Sequence, residues 1–175
     1  MRNLILALAL CGAVVLAAGM ANADNKFVGV KKCAMCHKAA NTGAVYTVWE
    51  KTAHASAYKT LQGKEADEIA KKKGLKTAAA DAPECLKCHV TGGGSAAGTD
   101  KTEGVTCEAC HGAASAFLMV HNKKDNLAKA KEAGLVMPAG DGKLCETCHN
   151  AQSPTFKGFK FKEAWAKIEH HLPKK

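Results

Sequence analysis

Four copies of a Cys-x-x-Cys-His motif are the part of this chain best suited to chemistry. They comprise Cys33, Cys36 and His37; Cys85, Cys88 and His89; Cys107, Cys110 and His111; and Cys145, Cys148 and His149. Two thiols at this spacing can add to the two vinyl groups of one porphyrin, and the imidazole that follows can bind its iron. The motifs therefore predict four covalently attached haem c groups, with the four motif histidines as proximal iron ligands.

Other uses of Cys-x-x-Cys fit the pattern less well. A zinc ribbon needs two such pairs for each metal and has no use for a histidine after every one. Disulfides in an exported protein would not place histidine after all four pairs either. The ninth cysteine of the chain, Cys11, lies in an apolar segment near the start. The cysteine count therefore matches four haems with none left over in the remainder.

Four histidines remain outside the motifs: His54, His121, His170 and His171. A haem iron that gains a second imidazole is closed to further ligands, whereas an iron without one keeps an open position. These histidines are therefore candidate distal ligands, although His170 and His171 are adjacent and point in different directions from a helix. Met119 and Met137 are weaker candidates, since methionine usually fills gaps in a core.

The elements that must position these ligands are predicted to be helical. No stretch alternates with a period of two, so a sheet is not expected, and the fold class is mainly α with much irregular coil. Helices are predicted over residues 44–61, 64–73 and 117–133, and over a final segment with Phe161, Trp165, Ile168 and Leu172 on one stripe. Gly74 and Gly134 are predicted to end two of them, and His54 and His121 fall within two of them.

The composition predicts that porphyrins supply most of the apolar core of a compact multihaem cytochrome. The chain has only five Phe, two Trp and two Tyr, against a large share of small and charged residues. Without haem the chain is therefore expected to be largely unfolded. Residues 91–98 are rich in glycine and are predicted to form a flexible loop after the second motif, for which a plain linker is the simpler interpretation.

The first 23 residues resemble a secretory signal peptide. Arg2 is followed by an apolar stretch over residues 4–18 and by Ala21-Asn22-Ala23, a typical cleavage site. The apolar stretch is shorter than the roughly 20 residues that span a bilayer. We expect a cleaved leader at 1–23 and a single tetrahaem domain at 24–175, which is periplasmic or otherwise exported and has no transmembrane anchor.

Charge predicts the kind of partner. Removal of Arg2 with the leader lowers the formal charge from +9 to +8, much of it from lysines such as those at 71–73 and 123–124. A nucleic-acid role is not expected of an exported cytochrome. Positive patches are either an ordinary solvated surface or a means of steering redox partner proteins with an acidic surface.

The chain resembles the tetrahaem cytochrome c family typified by the electron acceptor of hydroxylamine oxidoreductase, the cytochrome c five-five-four type. The resemblance covers nearly all of the expected mature chain. It rests on the surroundings of Cys33 and His37, on Thr52-Ala53-His54-Ala55, on the glycine-rich loop after His89, on residues 104–112, on His121 and on Phe159-Lys160-Phe161. The chain departs from the family in being shorter, especially after the fourth motif.

The resemblance implies a ligation scheme. The haem on His37 would take its distal ligand from His121, and the haem on His149 from His54. The haem on His111 would be completed from the C-terminal segment, while the haem on His89 would be five-coordinate. His170 is our choice for the C-terminal ligand by its place near the end, although the apolar stripe favours His171, so this choice stays open.

Three functions remain in view. The first is a periplasmic carrier that relays electrons between redox partners through four haems, and such a carrier is not an enzyme. The second is a redox enzyme or sensor that binds nitric oxide or a similar small ligand at an open iron on His89. The third is a subunit of a multihaem filament, in which His171 reaches the haem of a neighbour.

Overall fold

A computed structural model describes residues 25–122 and 125–171, and within them it contains helices and coil but no strand. The predictions for the leader at 1–23, for Lys123 and Lys124, and for Leu172 concern residues outside these ranges. The mainly α fold class is confirmed for the part of the chain that is described. No helix in that part is long and apolar enough to cross a membrane.

The helices are short and widely spaced along the chain. In order they are α1 (Val30–His37), α2 (Val45–Glu50), α3 (Ala57–Leu61), α4 (Lys64–Lys72), α5 (Pro83–His89), α6 (Cys107–His111), α7 (Leu127–Glu132), α8 (Lys143–Glu146) and α9 (Phe161–Trp165). Turns of 3₁₀ helix lie at Ala40–Thr42, Ala79–Asp81, Thr91–Gly94 and Lys101–Glu103. With four to nine residues each, these helices depend on packing rather than on their own propensity.

Two helices end where the sequence predicted. After α4, Gly74 has φ +72°, its N–H donates to the Lys71 carbonyl at 2.9 Å, and the N–H of Leu75 donates to the Ala70 carbonyl at 3.0 Å. The same pair of bonds ends α7, where Gly134 has φ +104°. Both are Schellman motifs, in which glycine adopts the left-handed conformation that other residues avoid.

Two of the predicted helices are interrupted. Residues 44–61 form α2 and α3 with turns between them, and among the described residues of 117–133 only those of α7 are α-helical. His54 and His121 therefore lie in turns and not in helices, which corrects their predicted placement. The second break lies next to Asp125, which has φ +69°, a conformation that Asp tolerates better than most residues.

The buried apolar core is small. One cluster joins α3, α4 and α5 through Leu61, Ala70 and Leu86, and a second joins Ala114, Phe117 and Ala130. Among the described residues no large side chain is less than 2% exposed. Met35 and Met119 are 78% and 71% exposed, so apolar surface remains uncovered by protein.

The glycine-rich loop contacts the N-terminal segment closely, which favours a packed element over a plain linker. Thr91–Gly94 forms a 3₁₀ turn, and Thr91 is buried with its hydroxyl against that of Thr106 at 3.0 Å. A Cβ placed on Gly98 would lie 1.8 Å from the Phe27 carbonyl oxygen. The glycines are needed because the backbone of the N-terminal segment passes directly against this loop.

Candidate haem site

Each motif lies on a helical turn that presents its side chains in the way covalent attachment requires. The first motif forms the end of α1, the second forms the end of α5, and the third forms the whole of α6. The fourth begins in α8 and completes one further turn, in which the His149 N–H donates to the Cys145 carbonyl at 2.9 Å. In a helical turn the two cysteines lie on one side, and the histidine follows directly beside them.

Three motif histidines face a histidine from outside the motifs. The ring centroids of His37 and His121 are 5.9 Å apart, with an interplanar angle of 11°. Those of His54 and His149 are 6.0 Å apart. Those of His111 and His170 are also 6.0 Å apart, and in these last two pairs the rings are tilted by about 60°. The fold thus brings together residues that are widely separated in sequence.

The spacing within these pairs fits a haem iron. An iron bound at about 2 Å by one nitrogen of each ring would leave the ring centroids about 6 Å apart. Burial is the main cause that lowers the pKa of His37, and the nearby imidazoles of His121, His111 and His170 lower it further. Burial likewise lowers the pKa of His54, with a smaller contribution from His149. A lowered pKa favours the neutral imidazole, which is the form that binds a metal.

In several of the candidate ligands, the ring nitrogen Nδ1 is hydrogen-bonded to a backbone carbonyl. Nδ1 of His111 contacts the Val136 carbonyl at 2.9 Å, and Nδ1 of His170 contacts the Ile168 carbonyl at 2.9 Å. His121 and His89 make the same contact with the carbonyls of Phe117 and Ala57, at 3.1 and 2.9 Å. Because a carbonyl only accepts, Nδ1 must donate, which leaves the Nε2 lone pair free for iron.

His37 differs from these histidines at the same atom. Its Nδ1 is buried and has no hydrogen-bond partner among the described residues. A buried polar atom without a partner costs free energy, so the ring of His37 lacks the carbonyl that orients the other candidate ligands. Its support for a haem iron is therefore the nearly parallel ring of His121, at a centroid distance of 5.9 Å.

His89 stands apart from the other motif histidines. Within the described part of the chain, its ring makes no contact with a second imidazole, and its Nδ1 lies 2.9 Å from the Ala57 carbonyl. His171 does not approach a motif histidine; its Nε2 lies 3.3 Å from a carboxylate oxygen of Glu169, and its side chain is 79% exposed. Met119 and Met137 are also exposed, at 71% and 52%.

The cysteines of different motifs lie close together. The thiols of Cys33 and Cys107 are neighbours, and this neighbour, followed by burial, raises the pKa of Cys33. Burial and the neighbouring Cys148 raise the pKa of Cys88 to about 11. Burial and then Cys145 raise the pKa of Cys110. None of the eight cysteines among the described residues forms a disulfide.

Phe159 contacts the site, although its residue type alone did not predict this. Its ring stacks on His149, with centroids 4.8 Å apart and an interplanar angle of 14°. Phe156 lines the same concave surface beside His149. The signal in the sequence was the aromatic pair Phe159 and Phe161 in a chain with few aromatic residues, but nothing in their spacing pointed to the fourth motif.

Comparison with known proteins gives one family and one curated relative. Residues 32–112 match the model of the family described as cytochrome c554 and c-prime. The chain is similar to cytochrome c-554 of Nitrosomonas europaea, with 33% identity over 158 residues that cover 79% of this chain and 64% of that protein. The chain thus spans less than two thirds of that relative's length. No solved structure matches the chain significantly.

Proposed function

We propose that this chain, whose residues 32–112 match the cytochrome c554 and c-prime family, relays electrons between redox partner proteins through four covalently bound haems. The match to that family and the similarity to cytochrome c-554 support a c-type cytochrome with covalently bound haem c and a role in electron transfer. Beyond this, we propose the number of haems, the ligands of each iron and the exported location.

The observation that carries the proposal is the set of three imidazole pairs. Each pair joins a motif histidine to a histidine outside the motifs at a centroid distance of 5.9 to 6.0 Å. We assign His121, His54 and His170 as the distal ligands opposite His37, His149 and His111. His170 takes this role rather than His171 because the His170 ring faces His111 while the His171 ring faces Glu169.

The protein groups would hold and insulate a one-electron carrier. Bound haem iron supplies a reversible one-electron couple. The motif cysteines would fix its position through two covalent bonds, and each pair of facing imidazoles would supply two ligands to its iron. A ligand set that is the same in both oxidation states would keep the reorganisation on electron transfer small and leave no place for a small ligand, which suits a relay better than catalysis.

The contacts between motifs support a continuous relay. The first motif lies near the third at Cys33 and Cys107, and the second lies near the fourth at Cys88 and Cys148. Cys110 of the third motif lies near Cys145 of the fourth. Haems attached at these thiols would follow one another in the spatial order first, third, fourth, second. Electrons could then cross the molecule in short steps.

Export and partner choice complete the proposal. Haem is attached to c-type cytochromes outside the cytoplasm, so we place the protein in the periplasm, with residues 1–23 as its cleaved leader. The lysine excess gives a formal charge of +9 for the whole chain. We therefore propose donors and acceptors that present an acidic surface to it.

The intact mass of the protein, produced in a host that attaches haem, tests the haem count. We expect the mass of residues 24–175 plus four haems, with one haem lost from a variant in which both cysteines of one motif are replaced by serine. A mass with three haems or fewer in the unmodified protein would contradict the proposal. The mass also shows whether the chain begins at Asp24.

Small-ligand binding at the haem on His89 is a second candidate function. It is favoured by the observation that His89, alone among the motif histidines, faces no second imidazole within the described residues. Carbon monoxide or nitric oxide added to the reduced protein should change the spectrum of about one haem in four. If the spectrum does not change, every iron is six-coordinate and this function is ruled out.

A further inference from the structure

The third motif contains the most deeply buried acidic side chain among the described residues. Glu108, which directly follows Cys107, is only 3% exposed. Carboxylates are seldom buried unless they are paired or well hydrogen-bonded. In the described ranges no lysine, arginine or histidine forms an ion pair with it. Its negative charge is therefore balanced by other means.

Backbone N–H groups from two separate segments surround this carboxylate. Val28 N lies 3.0 and 3.1 Å from its two oxygens, and Gly29 N lies 3.0 Å from one of them. Ala114 N donates to the other at 2.8 Å. Since each of these groups donates, the ionised carboxylate is the form that accepts from all of them. Glu108 thus fixes the chain just before α1 against the chain just after α6.

A second carboxylate lies at the same junction. Glu103 accepts from Val30 N at 2.8 Å, at the start of α1, and its side chain packs against Gly29. Glu108 adjoins Cys107 in the chain, and both carboxylates accept from the backbone at the start of the helix that carries Cys33. The attachment points of the first and third haems therefore share a region of negative potential.

We infer that Glu108 is a positioning residue whose buried charge lowers the reduction potential of the haems attached at Cys107 and Cys33. The inference rests on the proposed attachment of haem at these motifs. A negative charge stabilises the ferric iron relative to the ferrous iron, because the ferric form carries one more positive charge. The effect is strong here because a buried charge is poorly screened by solvent and salt.

Glu146 provides a matched control within the same chain. It occupies the equivalent place after the first cysteine of the fourth motif, but it is exposed. Replacement of either residue by glutamine removes one negative charge at the same position of a motif. An exposed charge is screened by water, so Glu146→Gln should have a much smaller effect on any haem.

The experiment is a spectroelectrochemical titration of the haem-loaded protein and its variants. We expect Glu108→Gln to raise the midpoint potential of one or two haems by about 59 mV, a tenfold change in the ratio of reduced to oxidised iron for a one-electron couple. We expect Glu108→Asp, which keeps the charge, to retain the low potential. If Glu108→Gln changes no potential more than Glu146→Gln does, or if Glu108→Asp raises the potential as much as Glu108→Gln, the inference is overturned.

Two further readouts keep the test decisive. Hydrogen exchange at the Val28, Gly29 and Ala114 amides should accelerate in Glu108→Gln, since glutamine offers one uncharged acceptor oxygen in place of two charged ones. If that variant fails to assemble, Glu103→Gln should raise the same potentials by a smaller amount, and an unchanged potential there also overturns the inference. Intact mass distinguishes failure of the proposed function from failure of the inference. Fewer than four haems in the unmodified protein would contradict the proposed function. Four haems whose potentials do not change in the variants would contradict only the role of Glu108.

Discussion

At the scale of single residues, the choice between two adjacent histidines follows from where their rings lie. His170 faces His111 with a centroid distance of 6.0 Å, and its Nδ1 is held by the Ile168 carbonyl. His171 lies beside Glu169 at the surface. The apolar stripe of the last segment favoured His171 on the assumption of a regular helix, but α9 ends at Trp165 and the backbone then turns.

Replacement of these two histidines one at a time tests the assignment. We expect His170→Ala to convert one low-spin iron to a high-spin iron, because the haem on His111 loses its distal ligand. His171→Ala is the matched control and should leave the spectrum unchanged. The measurement is electron paramagnetic resonance of the oxidised proteins. The opposite result, with His171→Ala producing the high-spin iron, would reverse the assignment.

At the scale of the elements, the sequence predicted helix ends better than helix continuity. Gly74 and Gly134 end α4 and α7 as expected, because a glycine after an amphipathic run is a local signal. The break between α2 and α3 was not predictable in the same way. The His54 carbonyl accepts the Val105 N–H at 3.0 Å, and Trp49 Nε1 donates to the Val105 carbonyl at 2.8 Å. These bonds to a distant segment replace helical ones.

The candidate site also has a part that local sequence predicts and a part that it does not. The motif cysteines and histidines could be named from local spacing alone, since each motif lies on one helical turn. The non-motif histidines could be named as candidates by counting. Which motif histidine each of them faces depends on contacts between distant segments. At the level of the sequence, only the resemblance to a family indicated these pairs. The buried contacts of Glu108 left no local signal, because Glu146 has the same place in its motif and is exposed.

A pair of glycine substitutions tests whether the glycine-rich loop is a packed element. Gly74 and Gly98 both have positive φ, but an added Cβ at Gly74 meets open space, whereas at Gly98 it meets the Phe27 carbonyl. We expect Gly74→Ala to destabilise the protein by about 1 kcal/mol through backbone strain alone. Gly98→Ala should cost at least twice as much, because the backbone must also move.

Thermal unfolding of the haem-loaded variants measures this difference. The midpoint temperature should fall clearly further for Gly98→Ala than for Gly74→Ala. Equal falls would mean that the loop yields easily, and the interpretation of residues 91–98 as a plain linker would then be the better one.

At the scale of the whole molecule, the small core indicates a fold that needs its cofactor. Half of the ten buried apolar residues among those described are alanines. Alanine contributes little apolar area, so these clusters cannot by themselves offset the entropy of ordering the chain. We propose that the haems supply the missing apolar contacts.

Production of the chain without haem attachment tests this dependence. A version with all eight motif cysteines replaced by serine should lose most of its helical circular dichroism, because the helices are too short to persist alone. The haem-loaded protein under the same conditions is the control. A helical signal close to that of the loaded protein would show that the polypeptide folds without its prosthetic groups.

The charge of the whole molecule predicts how its reactions depend on salt. The rate of electron transfer with an acidic redox partner should fall as ionic strength rises, because salt screens the attraction. Replacement of Lys71, Lys72 and Lys73, which are exposed at the end of α4, by glutamine should flatten this dependence if they steer the partner. Transfer with a small neutral reagent is the control. A flat profile for the unmodified protein would remove the steering proposal.

The most direct test of the proposed ligation is the electron paramagnetic resonance spectrum of the oxidised protein, integrated against its haem content. We predict four irons for each chain, three of them low-spin with two imidazole ligands and one high-spin on His89. The three low-spin irons correspond to the imidazole pairs at His37, His149 and His111. Four low-spin irons, or two or more high-spin irons, would contradict this assignment.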